Sequence, residues 1–265
     1  MNTKYLESSL WFEERSEGLN FYETQAGTYV KQAIINTIEN ETKQLIFLIG
    51  EPGVGKTMLL NVMHNELKNK LLSIYINAPF IKPVDFLISL IEKAGEKANG
   101  YVLENLIEQA KNIYASTPHI IMIDEAQLIS KEMMEAIRIL ADTKAFWFIL
   151  AMHKMESQEI LSEPHFRSRP HKVYEVGRLS KKECIYYIED TFGALGLTEI
   201  KDDLSKKYIH TLYKHCEGNF RKLKKIIYHL LLILHTAYVQ NRKKYQKVSK
   251  CLLIMAAIDG GLLDA

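Results

Sequence analysis

The chain is poor in cysteine, proline and glycine, with 3, 6 and 13 of them among 265 residues. Cys184, Cys216 and Cys251 lie far apart and are odd in number, which argues against a close-spaced zinc motif and against a disulfide framework. Reduced thiols in a cytoplasmic protein are the reading they support. With so little proline and glycine, and with no repeats or low-complexity tracts, long flexible joints are excluded as well. Long hydrophobic runs are also missing. The longest apolar stretch, Ile226 to Val239, is interrupted by His229 and His235 and falls short of the roughly 18 to 20 residues that span a bilayer. It reads as a buried helix, and no membrane span is expected. The opening MNTKYLESSLWFEERSEG has early acids and no apolar core of a signal peptide, so export is not expected.

What is present is ordinary globular material: 47% hydrophobic residues, 25% charged and a formal net charge of +2. The charge is unevenly spread. Residues 201–250 hold thirteen Lys/Arg against three acids, a local +10 that leaves −8 on the remainder. Such a segment is either a solvated helix face or a surface for nucleic acid or anionic lipid.

Five apolar runs read as strands: Leu45–Ile49, Ser73–Asn77, His119–Ile123, Ala145–Ala151 and Lys172–Val176. Helical spacing fills the gaps at about 56–70, 83–97, 101–115, 130–140 and 154–161. Alternation of this kind predicts a mostly parallel sheet covered by helices. After Gly177 no strand is evident, and helices are expected at about 180–193, 202–215, 219–240 and 247–258. Ser180-x-x-Glu183 has the pattern of a capping box for the first of them. The expected domains are therefore an α/β part over 1–177, with the N-terminal segment 1–40 attached, and a small all-α part over 178–265.

The chemistry starts at GEPGVGKT, residues 50–57, between the first strand and a helical stretch. In this pattern the glycines let backbone N–H groups turn toward phosphate, the lysine neutralises the β- and γ-phosphates, and the hydroxyl ligates magnesium. Gly50, Gly55, Lys56 and Thr57 occupy the fixed positions, with Glu51, Pro52, Gly53, Val54 and Met58 completing the cradle. The fold this implies is a P-loop NTPase, a parallel five-stranded sheet sandwiched by helices, with ATP and Mg2+ as ligands. A second element, Asp124-Glu125 after the apolar run His119–Ile123, puts two carboxylates at the strand's C-terminal end, where parallel sheets bind ligands. Adjacent residues of an extended chain face opposite ways. Asp124 is then the magnesium residue and Glu125 the base for the attacking water. Simple small-molecule kinases rarely need the second acid, so the pair favours hydrolysis over transfer.

Together these residues resemble the AAA+ ATPases, which act as oligomers and carry a helical lid. The resemblance implies a polar sensor at the end of the fourth strand, where His153 stands, a surface histidine at a helix start being the alternative. It implies an arginine that reaches a neighbouring subunit's γ-phosphate within Glu163-Pro-His-Phe-Arg167-Ser-Arg169-Pro, with Arg169 the better match and Arg167 second. Gly218-Asn219-Phe220-Arg221 is similar to the lid motif, making Arg221 a nucleotide contact. Asn77 stands where many members place a polar residue that restrains the catalytic glutamate, a strand-ending turn residue being the alternative. At finer grain the chain resembles the ExeA/GspA group, related to the TniB and MuB transposition ATPases. The matching pieces are Phe21-Tyr-Glu-Thr24, Ile76-Asn77-Ala-Pro79, Ile123-Asp-Glu-Ala-Gln127, Gly218-Asn-Phe-Arg221 and the ending Val248 to Leu263. His153 departs from that group's usual Gln, and the span and peptidoglycan-binding extension of its larger members are missing, as in a short form of pilus-biogenesis operons.

Two jobs follow from the resemblance. One is an ATP-driven homo-oligomer that assembles or positions a protein partner of a secretion or pilus system. The other is an ATP-dependent switch on duplex DNA, with Lys222, Lys224, Lys225 and the Arg242-Lys243-Lys244 cluster meeting phosphates non-specifically. A nucleotide-binding scaffold that does not turn over is a third.

Overall fold

The computed structural model describes residues 2–13, 22–42, 44–68, 72–77, 82–115, 119–163, 167 and 170–264. The five expected runs become β1 (Leu45–Gly50), β2 (Leu72–Ile76), β3 (His119–Ile123), β4 (Phe146–His153) and β5 (His171–Val176). They form one all-parallel sheet in the order β2-β3-β4-β1-β5. Runs this apolar need cover on both faces. All of β1 and β3 is buried, and β4 is buried up to its last residue. The more polar HKVYEV of β5 takes one edge, where Lys172 pairs with Glu41 at 2.8 Å. A charged, short edge strand also discourages pairing with other chains.

Contacts divide the chain into two units, one of residues 27–52 and 56–176, the other of residues 1–26, 53–55 and 177–265. Helix α1 (Asn2–Ser9) comes first in the chain and belongs to the second unit. In the first, the sheet is accompanied by α2 (Gln25–Asn40), which enters this unit at Gly27, and by α3 (Lys56–Leu67) and α4 (Pro83–Lys93). Then come α5 (Leu103–Tyr114), α6 (Lys131–Asp142) and α7 (Lys154–Ser162). Their apolar residues recur at helical spacing, as in Val30, Ile34 and Ile38 of α2 or Phe86, Leu87, Leu90 and Ile91 of α4, and all of these are buried. The buried Tyr114 hydroxyl donates to the Leu90 carbonyl at 2.6 Å and closes α5 onto α4.

The second unit is helical: α8 (Lys181–Ala194), α9 (Thr198–Asp202), α10 (Ile209–Cys216), α11 (Phe220–Val239) and α12 (Lys250–Asp259) surround their own core. Cys184 and Cys216 are buried in it, Cys251 is exposed, and all three are free thiols. Among the described residues no helix is long and apolar enough to cross a membrane.

Two expectations are corrected. The single helix at 202–215 is broken by a π-helical turn, Asp203–Lys207, closed by the Tyr208 N–H on the Asp203 carbonyl at 2.8 Å. Leu204, Ile209 and Leu212 are all buried, and the five-residue step from Leu204 to Ile209 fits one face only if an extra residue is inserted into the helix. The N-terminal segment, expected with the α/β part, is divided. Tyr5 and Phe12 are buried in the helical core, where the Phe12 ring stacks on Phe192 with centroids 5.4 Å apart. Aromatic burial fixes α1 there, and nothing in local spacing reveals which of two cores a short helix will join.

The capping box forms as expected. The Ser180 hydroxyl accepts from the Glu183 N–H at 3.2 Å, and the Glu183 carboxylate accepts from the Ser180 N–H at 2.8 Å. Partial burial pushes the Glu183 pKa up, but the N–H and O–H donors of Ser180 and the N–H of Ala26 outweigh it, and the net shift is downward. A depressed carboxylate stabilises the fold above its unfolded-state pKa and loses that contribution as pH falls through its folded value. Ser180→Ala should cost about 1 kcal/mol in urea unfolding at neutral pH. Glu183→Gln should also destabilise there, and its stability curve should converge on that of the unmodified chain in acid.

Candidate nucleotide site

The sheet register brings the candidate residues to one edge. Gly50 at the end of β1 pairs with His153 at the end of β4, and Ile123 at the end of β3 pairs with Leu150. The loop after β1, the acids after β3 and His153 therefore leave neighbouring strands at their C-terminal ends, the ligand-binding edge of a parallel sheet.

In GEPGVGKT, Gly53 and Gly55 have φ of +80° and +106°, a region that side chains strain to enter. A Cβ on Gly55 would meet nothing within 4 Å, so its requirement is conformational and the space beside it stays open. Lys56 begins α3 and is 7% exposed, and its ammonium donates to the carbonyls of Gly50 at 2.9 Å and Glu51 at 3.0 Å. Thr57 is exposed, and Glu51, Val54 and Met58 are half-buried. Residues 53–55 cluster with the helical unit. There the Arg221 N–H donates to the Gly53 carbonyl at 3.1 Å. A Cβ on Gly53 would stand 2.7 Å from both Arg221 Cβ and Asn219 Oδ1, so this position tolerates only glycine for steric reasons too.

Asp124 is 4% exposed. Its Oδ2 accepts from the Tyr75 hydroxyl at 3.3 Å and its Oδ1 from the Glu125 N–H at 2.9 Å, while its own N–H donates to the Ile76 carbonyl at 2.9 Å. Burial first, and then the negative charge of Asp124, push the Tyr75 phenol far above its ordinary value. Tyr75 therefore stays a hydrogen-bond donor throughout the physiological range.

The expectation that strand alternation separates the two acids is corrected. β3 ends at Ile123, and Glu125 lies beyond it in the left-handed region, with φ 50° and ψ 38°. The carboxylates diverge because the chain turns sharply between them. On Glu125, Oε2 accepts from the Gln127 side-chain amide and lies 3.6 Å from Nε2 of His153. The Gln127 Oε1 accepts from the His153 backbone N–H at 3.3 Å, and His153 Nδ1 lies 3.7 Å from Glu156.

The structure thus brings Asp124, Glu125 and His153 together. Asn77 is exposed just past β2, and among the described residues the partners of the Glu125 carboxylate are Gln127 and His153. Arg167 is exposed, and Arg169 lies outside the described residues. In the helical unit Arg221, Lys225, Arg242, Lys243 and Lys244 are exposed, Lys222 pairs with Glu217 at 3.2 Å, and Lys224 reaches the Glu13 carbonyl at 3.5 Å. Sequence reasoning did not pick out Tyr75 or assign a task to Gln127. Gln127 stood inside the acidic motif as a visible signal, whereas Tyr75 becomes relevant only because β2 pairs with β3.

These residues suit a magnesium–nucleoside triphosphate. Positive-φ glycines and a buried ammonium match a phosphate chain, and a hydroxyl with one carboxylate matches a cation that takes its other ligands from phosphate and water. Among the described residues no three His, Cys, Asp or Glu side chains gather as a metal cage of their own.

Residues 38–161 match a family model described as an AAA domain. No match was found among curated proteins. Solved structures are similar over most of the chain. The ORC2 protein of Aeropyrum pernix in ADPNP–ADP complexes aligns with a TM-score of 0.59 and 13% identity, covering 94% of this chain and 71% of that one. Cdc6p from Pyrobaculum aerophilum gives 0.62 and 14%, covering 88% and 66%. The Drosophila ORC bound to DNA gives 0.60 and 14%, covering 87% and 66%. At such identities the likeness is one of fold, and the fold is the P-loop AAA+ fold with a C-terminal helical region.

A left-handed non-glycine residue costs roughly 1 to 2 kcal/mol. Glu125→Gly should therefore raise the unfolding midpoint relative to Glu125→Ala, since both lose the carboxylate and only glycine relieves the backbone. Equal midpoints in thermal melts would show that the turn is unstrained.

Proposed function

We propose that this chain, an AAA domain in the AAA+ fold, is a magnesium-dependent ATPase that turns over as a homo-oligomer. The observation that carries the reading is the convergence of a buried Lys56, an almost fully buried Asp124 and a half-exposed Glu125 at one sheet edge. Lys56 holds the β- and γ-phosphates, backbone amides of Gly53 to Thr57 cradle them, and Thr57 and Asp124 hold the magnesium. The ion supplies charge neutralisation on the phosphates. Glu125 accepts the proton of the attacking water as its oxygen bonds to the γ-phosphorus and the bond to the bridging oxygen breaks, giving ADP and phosphate. His153 flanks Glu125 as the sensor. In the same reading Arg221 is a nucleotide contact and Arg169, with Arg167 second, is the arginine supplied to a neighbouring subunit.

The work done with ATP is, on this proposal, assembly or positioning of a secretion- or pilus-type protein complex, a reading supported by the motif resemblance to the ExeA/GspA group. A DNA-bound switch is the second reading. It is favoured by the +10 segment of residues 201–250 and by similar structures described as DNA complexes.

Lys56→Ala should abolish binding of a fluorescent ATP analogue. Glu125→Gln should keep that affinity and lose on the order of a hundredfold or more in kcat. Turnover per subunit should rise with protein concentration, and Arg169→Ala should remove the rise. Full turnover by Glu125→Gln would sink the mechanism, and nucleotide retained without phosphate release would make the chain a scaffold. Anisotropy with fluorescent duplex DNA, with and without ATP at two salt concentrations, separates the jobs. ATP-dependent, salt-sensitive binding supports the switch, and its absence supports the protein-assembly reading.

A further inference from the structure

We infer that Gln127 is the positioning residue of the proposed ATPase site, tying the Glu125 carboxylate to the end of β4 so that one of its oxygens is held and the other faces the reacting water. The inference rests on Glu125 being the base. Gln127 lies in the short turn Ala126–Leu128, which is closed by the Leu128 N–H on the Glu125 carbonyl at 2.9 Å. Its amide works at both ends, the NH2 donating to Glu125 Oε2 and the carbonyl accepting from the His153 N–H at 3.3 Å. The reverse amide orientation would set a carbonyl against a carboxylate and an NH2 against an N–H, so the two contacts fix each other.

This tie has a task because Glu125 sits off the end of β3, in a left-handed turn, with a flexible side chain that is 41% exposed. A base so placed has many rotamers, and holding it in one is what a positioning contact contributes. Gln127 and His153 both face Oε2. Among the described residues nothing bonds Oε1, which leaves that oxygen to receive the proton. Asparagine is a methylene too short to span both contacts. Glutamate fits sterically, since residue 127 borders a cavity of about 210 Å³ formed with α6 and α7, but it replaces the donor with a negative charge.

The test is kcat and KM for ATP in the full chain, in its Gln127→Ala, Gln127→Glu and Glu125→Gln variants, and in each residue-127 variant combined with Glu125→Gln. Gln127→Ala should lower kcat about tenfold or more and change KM little. Because Gln127 acts through the Glu125 carboxylate, adding Gln127→Ala to Glu125→Gln should lower kcat no further. Gln127→Glu, which keeps the shape and loses the donor, should lower kcat at least as much with KM little changed. The other groups facing Glu125 are Asp124 beside it, Tyr75 from β2, and His153 from β4 with Glu156 of α7 behind it. They are common to the variants, so the difference reports on residue 127. A Gln127→Ala loss in kcat that recurs in full on top of Glu125→Gln overturns the inference, being the mark of a structural role, as does a Gln127→Glu that turns over like the unmodified chain. If Gln127→Ala does not fold, Gln127→Glu alone and combined with Glu125→Gln decides. Turnover retained in Glu125→Gln is the separate failure of the base assignment.

Discussion

The lateral pairing of β1 with β4 is the constraint on which the rest of the site depends. These strands are far apart in the chain, yet their register puts Gly50 directly beside His153, and β4 in turn fixes β3. A slip of one residue would turn every buried side chain of β1 to the opposite face. Because β1, β3 and nearly all of β4 are buried on both sides, that slip is strongly disfavoured. The loop, the two acids and the histidine inherit their positions from it.

Charge is handled differently by each member of the edge. Lys56 and Asp124 are buried and each is given partners, the lysine two carbonyls and the aspartate a phenol and an amide. Burial without such partners would be strongly unfavourable. Glu125 is kept nearer solvent, strained in its backbone and held at one oxygen. Strain of this kind persists where the surroundings over-determine a conformation, and such places cluster at sites of chemistry. The two neighbouring acids thus differ in burial and in partners, Asp124 bonded at both oxygens and Glu125 at one.

The helical unit carries a different kind of information. Its core, with Phe12, Phe192, Leu212 and Leu230 at its centre, is as apolar as that of the sheet. Its surface holds the basic residues. Some of these are engaged, as Lys222 with Glu217 and Lys206 with Asp202. Exposed pairs of this sort contribute little to stability.

The sequence by itself determined the strands, most helices, the capping box at Ser180 and the places of Lys56 and Thr57 after β1 and of Asp124 and Glu125 after β3. All of these follow from short-range rules of apolar period, capping chemistry and motif spacing. Tertiary structure alone decided the strand order, the joining of α1 to the helical core, the π turn at Asp203–Lys207, and the partnership of Tyr75 with Asp124. It also decided that the two acids diverge through a left-handed turn and that Gln127 bridges to β4. The physical reason is one of distance along the chain. Local propensity can announce that a strand or a carboxylate exists, but which strand lies beside it, and so which donor reaches that carboxylate, is settled only when distant apolar surfaces are buried together.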